Sequence, residues 1–277
     1  MTKTDLNPEL KRQVATFYDK LSPFWHKLCG IHVHHGYWIT GKETKERAQE
    51  QLTAELAKRV GIKAQMKILN VGCGMGGSSV YLSKRFDAET VGITLSPVQV
   101  EIATQIAMQA NANSRFMVMD AEQATLNDRF DIVWSVEAVS HFSNPENFFV
   151  LDSRVLKPDG RIALIDWFEA PNLSAKRKRK YIEPINKGML VPAMTTMADY
   201  CEFAVTRGFN LLYVEDISTQ VAKSWDIGLK IIAKPDLWKT AAKEGKIFLD
   251  YLKAVRSMKR GFASKTFQYG IIIAEKA

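Results

Sequence analysis

The residues of this chain best suited to chemistry are polar groups and glycines that follow short apolar runs. The first run, Ile68-Leu69-Asn70-Val71, stops in Gly72-Cys73-Gly74-Met75-Gly76-Gly77. Glycines permit tight turning and close backbone approach, and a helix opening just beyond them presents free N–H groups to a ligand. Gly72, Gly74 and Gly77 satisfy G-x-G-x-x-G. Taken alone, that pattern admits a dinucleotide, S-adenosylmethionine (SAM) or a plain strand-to-helix turn.

The next run ends in Gly92-Ile93-Thr94-Leu95-Ser96-Pro97-Val98-Gln99. Dinucleotide binders place Asp or Glu there for the ribose hydroxyls, so Thr94 counts against an NAD-dependent oxidoreductase. Thr94, Ser96 and Gln99 offer neutral hydrogen bonds instead. A third run ends at Met119-Asp120-Ala121-Glu122, where Asp120 suits either the amine of an adenine or a helix N-cap. A fourth leads through Trp134-Ser135-Val136 to Glu137 and His141. His141 is a candidate base because an imidazole titrates near neutral pH. His32, His34 and His35 are crowded together. Yet His32 and His34 share one face of an extended segment while His35 faces away, and no Asp, Glu or Cys stands at ligand spacing nearby, so no metal is expected.

These groups need elements to position them. Strands are expected over 66–71, 90–94, 115–119, 130–135 and 161–167, with helices over 76–85, 97–110 and 145–156 and a turn at Pro158-Asp159-Gly160. Such alternation means an α/β fold, a parallel sheet wrapped by helices, with ligands at the carboxyl edge of the strands. Ahead of it, residues 5–30 carry a helical apolar pattern interrupted by Pro23, and Thr44 to Val60 form a helix ended by Gly61. After Trp167 the rhythm breaks: 172–207 is basic and helical, 209–217 a strand, 221–260 amphipathic helix and 266–274 a final strand. The chain thus divides into an N-terminal helical cap (1–62), a core (63–170), an inserted helical lid (171–208) and a C-terminal part that returns to the core (209–277).

An apolar content of 46% with 25% charged residues suits a water-soluble fold, and no apolar run is long enough to span a bilayer. Integral membrane contact is therefore not expected. The net charge of +8 raises nucleic acid or an anionic membrane as partner for a non-catalytic protein on the same fold. Nucleic acid is not expected, because the dense run Lys176-Arg177-Lys178-Arg179-Lys180 reads as a solvated helix face and no nucleic-acid module accompanies it. Cys29, Cys73 and Cys201 form no disulfide set, and the opening residues MTKTDLNPELKRQ hold no apolar signal core. A reducing, cytoplasmic setting is the expectation, with homo-oligomerisation left open.

The succession VGCGMGG, GITLSPVQ, FMVMDAE, FDIVWSVEAVSHF and VLKPDGRIALIDW resembles the class I SAM-dependent methyltransferases. More narrowly, it is similar to the γ-tocopherol C-methyltransferase-like branch, related to sterol and ubiquinone-pathway enzymes, in which GITLSPVQ carries Thr in place of the acid. His34-His35-Gly36-Tyr37, Leu190-Val191-Pro192-Ala193 and Phe267-Gln268-Tyr269-Gly270 extend the likeness nearly end to end. The resemblance implies a Rossmann-like seven-stranded sheet with its last strand antiparallel, and SAM as cofactor, leaving as S-adenosylhomocysteine. It places Gly72, Cys73, Gly74 and Gly76 on the methionine part, Thr94, Leu95, Ser96 and Gln99 on the ribose, Asp120, Ala121 and Glu122 on the adenine, and Val136 near the sulfonium. Tyr18 is expected to close over the cofactor. His141 becomes the base toward a phenol-like acceptor, Glu137 its orienter or a cofactor ligand, and His35 the reserve base. The acceptor is expected to be an apolar or aromatic small molecule roofed by Tyr18, Phe24, Trp25, Tyr37, Trp38, Trp167 and Phe168. Carbon methylation is favoured over transfer to nitrogen or oxygen.

Overall fold

Each apolar run that ends in a glycine or polar cluster becomes a strand of one sheet. The computed structural model describes residues 7–277; residues 5 and 6 of the expected first helix lie outside them. The strands are β1 (Lys67–Val71), β2 (Glu89–Thr94), β3 (Ser114–Val118), β4 (Phe130–Val136), β5 (Leu156–Glu169), β6 (Phe209–Asp216) and β7 (Phe267–Lys276). Their order is β3-β2-β1-β4-β5-β7-β6, with β7 antiparallel between β5 and β6. The sequence order turns back at β1, between β2 and β4, so a crevice opens at their carboxyl ends.

Local signals set the helices. In α1 (Pro8–Cys29) the Asn7 side chain accepts from Leu10 N–H, and Pro8 opens the first turn. In α2 (Lys45–Val60) Thr44 caps one end and Gly61, left-handed at φ 79°, closes the other. Then come α3 (Gly77–Phe86), α4 (Pro97–Ala110), α5 (Glu146–Val155), the short α6 (Ala175–Arg177) with a π-turn at Lys178–Ile182, and α7 (Glu183–Met189). They are followed by α8 (Met197–Thr206), α9 (Ser218–Val221), α10 (Lys223–Ile232), α11 (Pro235–Glu244) and α12 (Lys246–Ala263).

Both faces of the sheet are covered. Leu52, Leu56 and Val60 of α2 pack with Ile68, Trp134 and Ile165 on one face. On the other, Phe148 and Phe149 of α5 and Tyr200 of α8 pack with Val71, Val133 and Leu164. A separate cluster joins the two ends of the chain: Phe17, Leu21 and Trp25 of α1 meet Leu237, Phe248 and Leu252 of α11 and α12.

Three expectations change here. Pro23 does not interrupt α1, which runs through it; neighbouring Asp19 and Ser22 are tied by side-chain hydrogen bonds to Ser96 and Gln99, and those ties hold the helix in place. Residues 171–208 are not all lid, because Tyr200 and Ala204 of α8 lie in the core of the sheet. The helices before the final strand join the lid instead, since α12 packs against α7 with Ala254 close beside Gly188. Among the described residues, no helix is long and apolar enough to cross a membrane.

Candidate active site

A cavity of about 230 Å³ opens at the carboxyl ends of β1, β2, β3 and β4 and runs beneath α1 and the lid. Its floor is the glycine loop. Gly72 N–H and Cys73 N–H both donate to the Ile93 carbonyl, at 2.9 and 3.0 Å, which curls the chain back toward β2. Gly74 (φ +52°) has no atom within 4 Å of where a Cβ would stand, so its backbone faces open cavity. Gly76 (φ +82°) differs: a Cβ there would lie 2.8 Å from the Phe116 ring and 2.9 Å from Ala103. Gly76 therefore serves helix packing and does not line the cavity.

At the end of β2, Thr94 Oγ1 donates to Gln99 Oε1 at 2.7 Å, and both residues line the cavity with Leu95. Ser96 does not; its hydroxyl caps α4 by accepting Gln99 N–H and donates to Asp19 Oδ1 at 2.5 Å. At the end of β3, Asp120 Oδ1 accepts Glu122 N–H while Oδ2 takes Lys11 Nζ at 2.5 Å. Asp120 lines the cavity and shapes a turn; no helix follows it, so it is not the helix N-cap its sequence context allowed. Lys11 also reaches Glu122, at 3.2 Å. Glu122 in turn accepts the N–H groups of Ser143 and Asn144, which ties the loop after β3 to the loop after β4. Ala121 and Val136 complete this wall, and Cys73, its thiol pushed by burial up to about 12, is a packing group there.

His141 sits in the 3-10 turn Val139–His141 just past β4. Its Nδ1 lies 3.4 Å from the Leu190 carbonyl, and Nε2 lies 2.8 Å from the Tyr18 hydroxyl. A carbonyl only accepts, so Nδ1 carries the proton and Nε2 offers its lone pair to the Tyr18 O–H. Burial pushes the His141 pKa down to about 4 and keeps the ring neutral at neutral pH. Burial also raises the Tyr18 pKa, so its hydroxyl stays protonated. The turn itself is pinned by Asp166, which accepts Ser140 N–H on Oδ2 and Trp167 N–H on Oδ1, each at 2.8 Å. Burial pushes that carboxyl up to about 7.

Among the described residues Glu137, expected either to orient His141 or to bind cofactor, lines the cavity but makes no hydrogen bond to His141. Its backbone is left-handed at φ 55°, uncommon for a non-glycine residue, and this turns the side chain toward the other wall. There Oε1 accepts the backbone N–H of His35 at 2.7 Å, His35 Nδ1 at 2.8 Å and the Tyr269 hydroxyl at 2.5 Å. Burial opposes its charge, but the adjoining His35 and the Tyr269 hydrogen bond outweigh it and hold the carboxyl below its usual range. His35 is thereby committed to Glu137. His32 and His34 are bonded to each other at 3.1 Å, and Gln49 holds both of their carbonyls.

Of the expected roof, Tyr18, Trp25 and Trp167 line the cavity, whereas Phe24, Tyr37, Trp38 and Phe168 do not. Phe24 packs on Phe248 and Phe168 on Tyr200. The missing wall comes from Met189, Trp225, Tyr251, Val255 and Met258 on α7, α10 and α12. Lys11 is the one Lys or Arg among the described residues that line the cavity. A SAM-sized cofactor fits this donor set: open space over Gly74, neutral hydrogen-bonding groups at Thr94 and Gln99, and a carboxylate at Asp120.

The profile of the mycolic acid cyclopropane synthetase family matches residues 8–259. The chain belongs to that family. It is similar to the chloroplastic tocopherol O-methyltransferase of Arabidopsis thaliana, 29% identical over 96% of this chain and 82% of the relative. It is 31% identical to the 27-O-demethylrifamycin SV methyltransferase of Amycolatopsis mediterranei, over 77% of this chain and 79% of that one. A mycolic acid cyclopropane synthase, CmaA1, solved with S-adenosylhomocysteine, superposes with a TM-score of 0.83 at 20% identity, covering 96% and 98% of the two chains. That likeness shows the fold. Family and relatives together make this member of the cyclopropane synthetase family an enzyme, a class I SAM-dependent methyltransferase of the tocopherol methyltransferase-like branch.

Proposed function

We propose that the chain methylates an apolar aromatic acceptor bearing a phenolic hydroxyl, with His141 receiving the hydroxyl proton. The observation that carries this reading is the phenol of Tyr18, held 2.8 Å from His141 Nε2 within the cavity. That contact supports Nε2 as the atom able to receive a phenolic O–H. Bound over Gly74, with Thr94 and Gln99 at the ribose and Asp120 at the adenine, SAM supplies an activated methyl group. The protein's part is to align the acceptor, exclude water and take up one proton.

A weakly basic imidazole suits that task. With its pKa near 4, His141 does not strip a free phenol. As the methyl–sulfur bond breaks and the carbon–carbon bond forms, the hydroxyl turns strongly acidic and its proton passes to the neutral His141. The Leu190 carbonyl at Nδ1 steadies the imidazolium that results. Loss of the ring C–H proton and return of a proton to the oxygen then restore the phenol, so one proton is released overall. The ionised Glu137 on the opposite wall, with the rings of Trp25, Trp167 and Trp225, suits positive charge spreading over an aromatic ring during attack by carbon. This favours ring carbon over oxygen as the methylated atom.

The test is methyl transfer from labelled SAM to a panel of prenylated phenols, plain phenols and indoles, with the product read by NMR. A methyl on the ring of a phenol supports the reading. Transfer only to acceptors without a hydroxyl overturns it.

A further inference from the structure

The positive charge of the chain is gathered in one region. Residues 171–190 and 218–266 contain 17 of the 38 Lys and Arg but only five of the 30 Asp and Glu, a net charge of +12. The remaining residues, with 21 basic and 25 acidic side chains, are net −4. The two basic segments meet in space, where the Arg177 guanidinium donates to the Ser264 carbonyl at 2.7 Å. All five residues of the run Lys176 to Lys180 are exposed, and the run's ion pair is that of Lys178 with Glu169. Along α12, exposed Lys246, Lys253, Arg256 and Arg260 recur at seven-, three- and four-residue intervals, opposite buried Phe248, Leu252, Val255 and Met258. A basic stripe on α12 therefore continues into the basic run.

We infer that this outer face of the lid seats the enzyme on an anionic lipid surface. Charge complementarity is the first argument, since a concentrated cationic face is drawn to anionic headgroups. The inner faces of the same helices give the second: Met189, Trp225, Tyr251, Val255 and Met258 wall the acceptor half of the cavity with apolar side chains. An acceptor that suits this wall partitions into a bilayer, so one set of helices faces the membrane on one side and the acceptor on the other. This argument rests on the apolar acceptor proposed above.

The test is co-sedimentation of the full chain, without acceptor, with vesicles of phosphatidylcholine alone or with about 30% phosphatidylglycerol, from about 0.05 to 0.5 M NaCl. Binding is expected to the anionic vesicles only and to fall more than about tenfold across that salt range. Changing Lys176 to Lys180 all to Gln, or combining Lys253→Gln with Arg260→Gln, is expected to weaken vesicle binding about tenfold while affinity for S-adenosylhomocysteine, which reports folding, is unchanged. Equal binding to neutral and anionic vesicles, or none to either, overturns the inference. So does tighter binding to a single-stranded RNA at the same salt, lost in the same variants. Because no acceptor is present, these outcomes are independent of whether a phenol is methylated.

Discussion

The hydroxyl of Tyr18 and Nε2 of His141, 123 residues apart in sequence, lie 2.8 Å from each other, with the imidazole proton turned toward Leu190. The pair fixes which nitrogen acts as base and makes the two roles separable. His141→Ala should lower kcat by about 10²- to 10⁴-fold, the usual worth of a general base, with little change in affinity for S-adenosylhomocysteine. Tyr18→Phe frees Nε2 and should change kcat by less than about tenfold. Steady-state kinetics beside calorimetric titration distinguish the two; equal losses of kcat and cofactor affinity in His141→Ala would make it a binding residue.

The pH dependence follows from the same burial. His141 must be neutral to accept a proton, and its pKa is held near 4 in place of 6.5. The acid limb of kcat should therefore lie near pH 4. An inflection at the ordinary histidine value would contradict the assignment. Between the two values the unfolded chain binds a proton at this position and the native one does not, so His141's share of stability falls as pH drops from 6.5 toward 4.

Asp166 carries the opposite sign. Its carboxyl titrates near 7, above the unfolded value of 3.8, so the native state holds the extra proton between them and stability declines as pH rises through that window. Asp166→Asn should flatten this part of the dependence of Tm on pH. It should also lower kcat, because Ser140 N–H and Trp167 N–H bond to different oxygens of Asp166, and in Asn one of those positions becomes an NH2 donor facing an N–H. A Tm profile with the wild-type slope would show that Asp166 is not the titrating group.

Gly74 and Gly76 should fail in different ways. Gly74→Val projects a side chain into open cavity and should weaken S-adenosylhomocysteine binding by about 100-fold or more, a steric block of the kind overpacking produces. Gly76→Ala drives a Cβ against Phe116 and Ala103 and should cost about 1–3 kcal/mol of stability, seen as a lower Tm with binding retained in the folded protein. Reversal of the two effects would reverse their assignments.

Much of the architecture is written locally. The alternation that makes the sheet depends on apolar runs closed by glycine and proline turns, and the strand ends carry the cofactor side of the cavity, from Gly74 through Thr94 to Asp120. The acceptor side is less legible because residue type does not say where a side chain points. Trp167 and Phe168 are neighbours on β5 and necessarily face opposite sides, so only one of them could roof the cavity. That signal was available in the strand period. The orienting role expected of Glu137 is not legible in composition, because its left-handed backbone turns the side chain from His141 to His35. Lys11, Trp225, Tyr251 and Tyr269 come from distant segments, and no short-range pattern brings them to the site.

The cluster that joins α1 to α11 and α12 bears on how the enzyme comes into being. Every strand beneath the cofactor half lies between Lys67 and Val136, whereas the roof depends on contacts such as Trp25 Nε1 to the Tyr251 hydroxyl, which spans 226 residues. Contacts so remote in sequence are the slowest to form. A growing polypeptide thus holds the parts of its cofactor seat long before α12 and β7 arrive to close the cover over it and complete the sheet.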